Sequence, residues 1–100
     1  MTKCECYMRG MLSFLILWIL ANRQMHGQQI ANDIERRKGS KPTPGTIYPA
    51  LKELKRKGLI RSEKKGRMIV YSITPAGRKS LDDACSHICR MFGDIIRKYS

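Results

Sequence analysis

The sequence predicts a mainly α chain with a small β-hairpin, and three observations lead there. Apolar residues recur at helical spacing in three separate stretches. Two short runs, Ile60 to Lys64 and Met68 to Ile73, read as strands on either side of Lys65-Gly66-Arg67, so they form a hairpin. Threonine-proline occurs at Thr43-Pro44 and again at Thr74-Pro75, a capping hydroxyl followed by proline at the first helical position, which opens a helix each time. One hundred residues make one domain. A chain this short buries a modest fraction of its surface, so pairing with a second copy is a natural way to complete its core.

Residues 1–9 are polar, contain cysteine and have no clear period. The first helix is expected from about Met11 to Asn22. It is apolar on nearly every side, as a central core helix is, and Phe14 and Trp18 are expected in that core, an aromatic ligand box being the alternative. The run Met11 to Ala21 is too short for a membrane span, which needs roughly 20 apolar residues. Ile19-Leu20-Ala21 lacks the small-x-small pattern of a leader cleavage site. A cytoplasmic protein with reduced thiols and no membrane partner is therefore expected. His26-Gly27 opens the second helix, which should reach about Lys38, with Ile30, Ala31 and Ile34 as its buried stripe. Gly39 ends it, and Arg37 and Lys38 suit the negative end of its dipole. His26 reads as a helix-start residue rather than a ligand, because no second His, Asp or Glu lies beside it at metal spacing.

Ser40-Lys41-Pro42 is a turn, and the third helix should run from Thr43-Pro44 to about Lys57, stopped by Gly58. Ile47, Ala50, Leu51 and Leu54 face inward. At about 100° per residue, Gly45, Pro49, Lys52 and Arg56 fall on the opposite side, with Tyr48 and Lys55 on one shoulder. Pro49 removes one backbone bond and crowds the carbonyl of Gly45, which has the freedom to adjust. The fourth helix should run from Thr74-Pro75 to near Tyr99. On it Leu81, Cys85, Ile88, Phe92, Ile95 and Tyr99 are spaced 4, 3, 4, 3, 4, the rhythm of a coiled-coil seam. Nothing else in the chain is long enough to cover that seam, so it is assigned to the partner of a homodimer. Three helices followed by a basic hairpin make a winged helix-turn-helix (residues 10–74), with a long C-terminal dimerisation helix (75–100).

Charge points to the partner. The chain carries a net +12, and residues 36–67 hold twelve basic side chains against two acidic ones. Such a block repels itself unless a polyanion neutralises it. A helix of this width fits the major groove of double-stranded DNA. Gly45 and Thr46 let the helix start approach a phosphate, and Tyr48 offers a hydroxyl. Lys41 and Thr43 flank that start, Lys52, Lys55 and Arg56 can reach backbone or bases, and the hairpin cations Lys64, Lys65 and Arg67 can touch a flanking backbone or minor groove. Most such contacts position the protein, with Thr46, Tyr48, Pro49 and Lys52 as the expected base readers.

The chain also resembles a known family. His26-Gly27, the stretch Pro44-Gly45-Thr46-Ile47-Tyr48-Pro49-Ala50-Leu51, Gly58-Leu59-Ile60, and Tyr71-Ser72-Ile73-Thr74-Pro75-Ala76-Gly77 look like the PadR-like transcriptional regulators, over about Gly10 to Leu81. The resemblance implies a dimeric regulator, usually a repressor, with the third helix in the major groove and the fourth at the dimer interface. Gln28 stands where the family usually has tyrosine, and the short hairpin and lone C-terminal helix suit its small-subunit branch. A small-molecule or metal effector is left unassigned.

Cys4 and Cys6 form one close thiol pair, and Cys85 and Cys89, on one face of the fourth helix, form another. The family fold implies that the pairs could meet, and four thiolates could hold zinc or an iron–sulfur cluster. A redox-responsive dithiol is a second possibility. Against both, the spacing is not that of a standard zinc site and Cys85 already belongs to the apolar seam, so no cofactor is assigned. An enzyme is not expected: there are two histidines, no paired carboxylates in an apolar frame and no phosphate-cradling glycine loop. A sequence-neutral nucleic-acid binder and a protein-interaction winged helix remain the competing functions.

Overall fold

The computed structural model describes residues 3–99, with side chains from residue 11 onward. Seven elements follow in order: α1 (Lys3–Asn22), β1 (Met25–His26), α2 (Gly27–Lys38), α3 (Pro44–Arg56), β2 (Ile60–Lys65), β3 (Met68–Ile73) and α4 (Pro75–Tyr99). The three strands form one antiparallel sheet in the order β1-β3-β2. This is the mainly helical winged-helix arrangement that the sequence predicts, with a long final helix.

The core is apolar throughout. Ile16, Ile19 and Leu20 of α1 meet Ile30 and Ile34 of α2, Ile47, Leu51 and Leu54 of α3, and Ile60, Tyr71 and Ile73 of the sheet. No polar or charged side chain is buried among the described residues, so the packing relies on burial of apolar surface rather than on ion pairs.

Local chemistry sets the element ends. His26 caps α2 reciprocally: its Nδ1 accepts from Gln29 N at 3.3 Å, and Gln29 Oε1 accepts from His26 N at 3.1 Å. Gly39, at φ +88°, donates to Glu35 O and closes the helix. The hairpin turns on two residues, Gly66 and Arg67, between Lys65 and its cross-strand partner Met68. Gly66 has φ +64° and no non-glycine residue has positive φ, so the turn belongs to the II′ class, which matches strand twist.

Three expectations need correction. First, α1 begins at Lys3 and not near Met11. The early residues lack an apolar period, yet only Gly10 opposes a helix there, at a cost of about 1 kcal/mol that the rest of the helix absorbs. Second, Trp18 is 42% exposed and Met11 64% exposed. A helix apolar on all sides cannot bury every face in so small a domain, and these two, seven apart, share the face left outward. Third, Leu81, the first residue of the predicted seam, lies in the chain's own core, and Cys85, the second, is half-buried against it.

Candidate nucleic-acid interface

The third helix is seated by its inner face. Ile47, Leu51 and Leu54 are buried and Ala50 is half-buried, so the rotation of α3 about its axis is fixed. Fixing it points Gly45, Tyr48, Pro49, Lys52, Lys55 and Arg56 outward, and all six are exposed. Pro49 leaves the helix unbroken from Pro44 to Arg56.

Thr43 departs from expectation. Its side chain makes no capping bond to the helix backbone. Instead its Oγ1 lies 3.1 Å from Thr46 Oγ1, and both threonines are exposed. At the start of α3 Pro44 has no N–H and Thr46 N and Ile47 N donate to Thr43 O, which leaves the N–H of exposed Gly45 open to an anion. Thr46 stands on the shoulder of α3 opposite Tyr48, beside a groove of about 840 Å³ that Leu12, Phe14, Pro49 and Ala84 also line.

Tyr48 is held in place by something the sequence hid. A Cβ on Gly27 would lie 3.0 Å from Tyr48 Cε1 and Oη, so the tyrosine ring rests directly on the first residue of α2. Burial pushes the Tyr71 hydroxyl up from its ordinary pKa, and the nearby Tyr48 hydroxyl adds to that rise. The half-exposed Tyr48 is thus braced before any partner arrives.

The cations divide into held and free. Arg56 donates twice to Glu53, through Nε at 2.9 Å and Nη2 at 2.6 Å, and Lys57 Nζ lies 3.9 Å from the same carboxylate. The Arg56 hydrogen bonds hold the Glu53 carboxyl below its usual range, and Glu53 in turn raises Arg56. Arg36 and Arg37 are similarly engaged by Asp33. By contrast, Lys41, Lys52, Lys55, Lys64, Lys65 and Arg67 have no carboxylate partner among the described residues. The Glu53–Arg56 spacing was a readable signal, since residues three apart on a helix are neighbours.

On α4 the outward apolar face begins after Cys85. Ile88 is half-buried, while Phe92, Ile95 and Tyr99 are exposed, the last at 79%. Met91 and Ile96, absent from the predicted seam, are exposed beside them. Cys89 is exposed and Cys85 half-buried, both as free thiols. The side chains of Cys4 and Cys6 lie outside the described residues. Among the described residues no helix is long and apolar enough to cross a membrane.

Comparison with known proteins agrees with this geometry. A 37.1 kDa protein from a transposon of Streptomyces fradiae is 38% identical over 82 residues, covering 81% of this chain and 24% of that protein, so this chain spans about a quarter of its length. A transcriptional regulator of Mycobacterium tuberculosis is 36% identical over 81 residues, covering 77% of this chain and 75% of that protein. Among solved structures, a protein of Thermoplasma acidophilum assigned as a transcriptional regulator is 32% identical with a TM-score of 0.75, covering 97% of this chain and 98% of that one. PadR of Bacillus subtilis, solved in complex with operator DNA, is 27% identical with a TM-score of 0.64, covering 75% of this chain and 45% of that one. Residues 16–83, most of the winged-helix unit, match the profile of the transcriptional regulator PadR-like family, and the chain belongs to that family.

Proposed function

We propose that this regulator is a cytoplasmic repressor that binds operator DNA as a homodimer. The observation that carries the reading is the outer face of α3. An apolar inner face fixes the helix, and the opposite side presents Tyr48, Lys52 and Lys55, neither lysine having a carboxylate partner among the described residues. A helix about 10–12 Å across fits a major groove about 12 Å wide. The operator-bound PadR of Bacillus subtilis supports the same use of the fold.

In this arrangement Thr43, Gly45 and Thr46 bring the start of α3 against a phosphate. Tyr48, Pro49 and Lys52 meet base edges, and Lys55 meets backbone. Lys41 and the hairpin residues Lys64, Lys65 and Arg67 contact flanking phosphates. Arg56 has a smaller share, because Glu53 already engages it. The partner subunit covers Ile88, Phe92, Ile95 and Tyr99, together with Met91 and Ile96. Occupying the operator excludes the transcription machinery, which is repression.

Selection of bound sites from a random duplex library tests the reading. A two-fold symmetric motif with half-sites about one helical turn apart is the expected result. An unstructured pool would instead favour a sequence-neutral binder. On the selected site, Lys52→Ala should weaken binding and lower the salt slope by about one unit. An unchanged slope would remove Lys52 from the interface.

A further inference from the structure

The two thiols of α4 have no part in the function proposed above. Cys85 and Cys89 are both free, the first half-buried and the second exposed. Packing accounts for Cys85, which rests against the core. It does not account for Cys89. Cysteine is among the residue types most often fully buried, yet Cys89 stands at the surface of its helix.

The spacing says what the pair can do. Four residues apart on an unbroken helix, the two thiols share one face. Side chains at this spacing have Cβ atoms about 5–6 Å apart, whereas a disulfide needs about 3.5–4.5 Å. The pair therefore cannot close a disulfide within one chain while α4 stays helical. A metal ion changes the arithmetic. A thiolate–metal bond is about 2.3 Å long, so two of them span up to about 4.6 Å from sulfur to sulfur, against about 2 Å for a sulfur–sulfur bond. A separation too wide for a disulfide is thus suited to a bridging ion.

The donor type selects the ion. Thiolates are soft and favour thiophilic metals such as copper(I) and zinc, while magnesium and calcium take oxygen ligands. Among the described residues no group of three or more His, Cys, Asp or Glu side chains comes together. A closed structural site takes four protein ligands, so the described residues supply two ligands of an open site, one that can load and release its ion.

We propose that Cys85 and Cys89 together chelate one thiophilic metal ion. The site lies one turn beyond Leu81, where α4 leaves its own core, and before the exposed Phe92, Ile95 and Tyr99. The ion is held at the root of the outward apolar face. The proposal goes beyond the DNA-binding function and does not depend on it.

The test uses the full chain, kept reduced with a phosphine because a thiol reductant would compete for the ion, and titrated with cadmium(II) as a thiophilic probe. Alkylation by iodoacetamide is followed cysteine by cysteine from peptide and fragment masses, which separates Cys85 and Cys89 from Cys4 and Cys6. A coordinated thiolate is no longer a free nucleophile, so cadmium at about one equivalent should slow the alkylation of Cys85 and Cys89 together, by about tenfold or more. Magnesium at the same concentration should leave both rates unchanged. Helix content by circular dichroism should be kept, since bridging at this spacing requires no unwinding.

Cys89→Ser alters an exposed position, so the fold should survive. In that variant Cys85 should need about a hundredfold more cadmium for the same protection, because the second ligand of the chelate is gone. Cys85→Ser should do the same to Cys89. Cadmium that protects neither thiol would overturn the proposal, and so would equal protection by magnesium. Full protection of Cys85 at unchanged cadmium concentration in Cys89→Ser would overturn it as well, since one thiolate would then suffice. Loss of helix content on cadmium binding would do so too, since the pair would then not be preformed.

Discussion

Both α3 and α4 open on threonine and proline with a glycine close behind, as Thr43-Pro44-Gly45 and as Thr74-Pro75-Ala76-Gly77. At α4 the threonine is engaged through both its hydroxyl and its backbone. Thr74 Oγ1 donates to Gly58 O at 2.7 Å and accepts from Gly77 N at 3.0 Å, while Thr74 N donates to Leu59 O at 3.1 Å. Gly77 is buried so closely against the Gly58–Leu59 turn that an added Cβ would stand 2.0 Å from Leu59 O. At α3 the threonine side chain bonds only to another exposed hydroxyl, and a Cβ on Gly45 would meet nothing closer than Thr43 Oγ1 at 3.8 Å. Similar residues start a helix in both places. The difference is the neighbour: one start abuts a turn of its own chain, and the other faces solvent with the Gly45 N–H open, where an anion can dock.

The largest effect should come from the buried glycine. Gly77→Ala sets a methyl against a backbone carbonyl that cannot swing aside, so the hairpin and α4 must separate. A loss of about 3 kcal/mol or more is expected, at the upper end for overpacking. For a chain of 100 residues each kcal/mol moves the melting midpoint by about 4–8 °C, so the variant should melt far below the unaltered protein at equal concentration. A shift of a degree or two would show that the turn yields easily and that the contrast between the helix starts is overstated.

Thr74→Val comes next. It keeps the shape and removes the hydroxyl, leaving Gly58 O and Gly77 N without that partner. About 1–2 kcal/mol should be lost, the usual value of a cap, and chemical denaturation would measure it. Gly45→Ala should act in the opposite direction. Gly45 does not have positive φ, so alanine fits and lowers the entropy of the unfolded chain. Stability should rise by about 0.5–1 kcal/mol, while operator affinity falls because the methyl keeps the helix start from a phosphate. A variant that is both less stable and equally tight on DNA would place Gly45 in the fold rather than in the interface.

These comparisons also mark where the sequence was legible. Helix and strand positions followed from apolar period and punctuation, as at Ile47-Leu51-Leu54, Gly39 and Gly66. The two-residue strand β1 did not, because Met25 and His26 are too short a run to show a period and exist as a strand only through pairing with β3. Four motif blocks were visible, but not that they join in pairs. Gly27 lies under the Tyr48 ring, and Gly77 lies against the Gly58–Leu59 turn. A contact between distant residues leaves no local trace, so a glycine chosen for close approach looks the same as one chosen for a turn. The outward placement of Trp18 was hidden for a related reason: a helix apolar all round does not say which face the rest of the chain will cover.

The smallest effect on the fold should come from Thr43→Val, the mirror of Thr74→Val. The hydroxyl lost here bonds only to Thr46 Oγ1, and water can replace it because both residues are exposed. Stability should change by less than about 0.5 kcal/mol, as for surface substitutions that touch no cap or core. The backbone bonds that define the helix start, Thr46 N and Ile47 N to Thr43 O at 2.9 Å each, do not involve the side chain and persist. Operator affinity is the sensitive readout, since a valine at this position puts a methyl group in place of the hydroxyl where a phosphate would sit and so removes a donor. The two valine variants measured together therefore form a crossed pair. Thr74→Val should lower stability and leave the affinity of the folded protein for DNA intact, and Thr43→Val should do the reverse. Equal losses of stability would mean that the Thr43 hydroxyl caps α3 in solution after all, and that the two helix starts are alike.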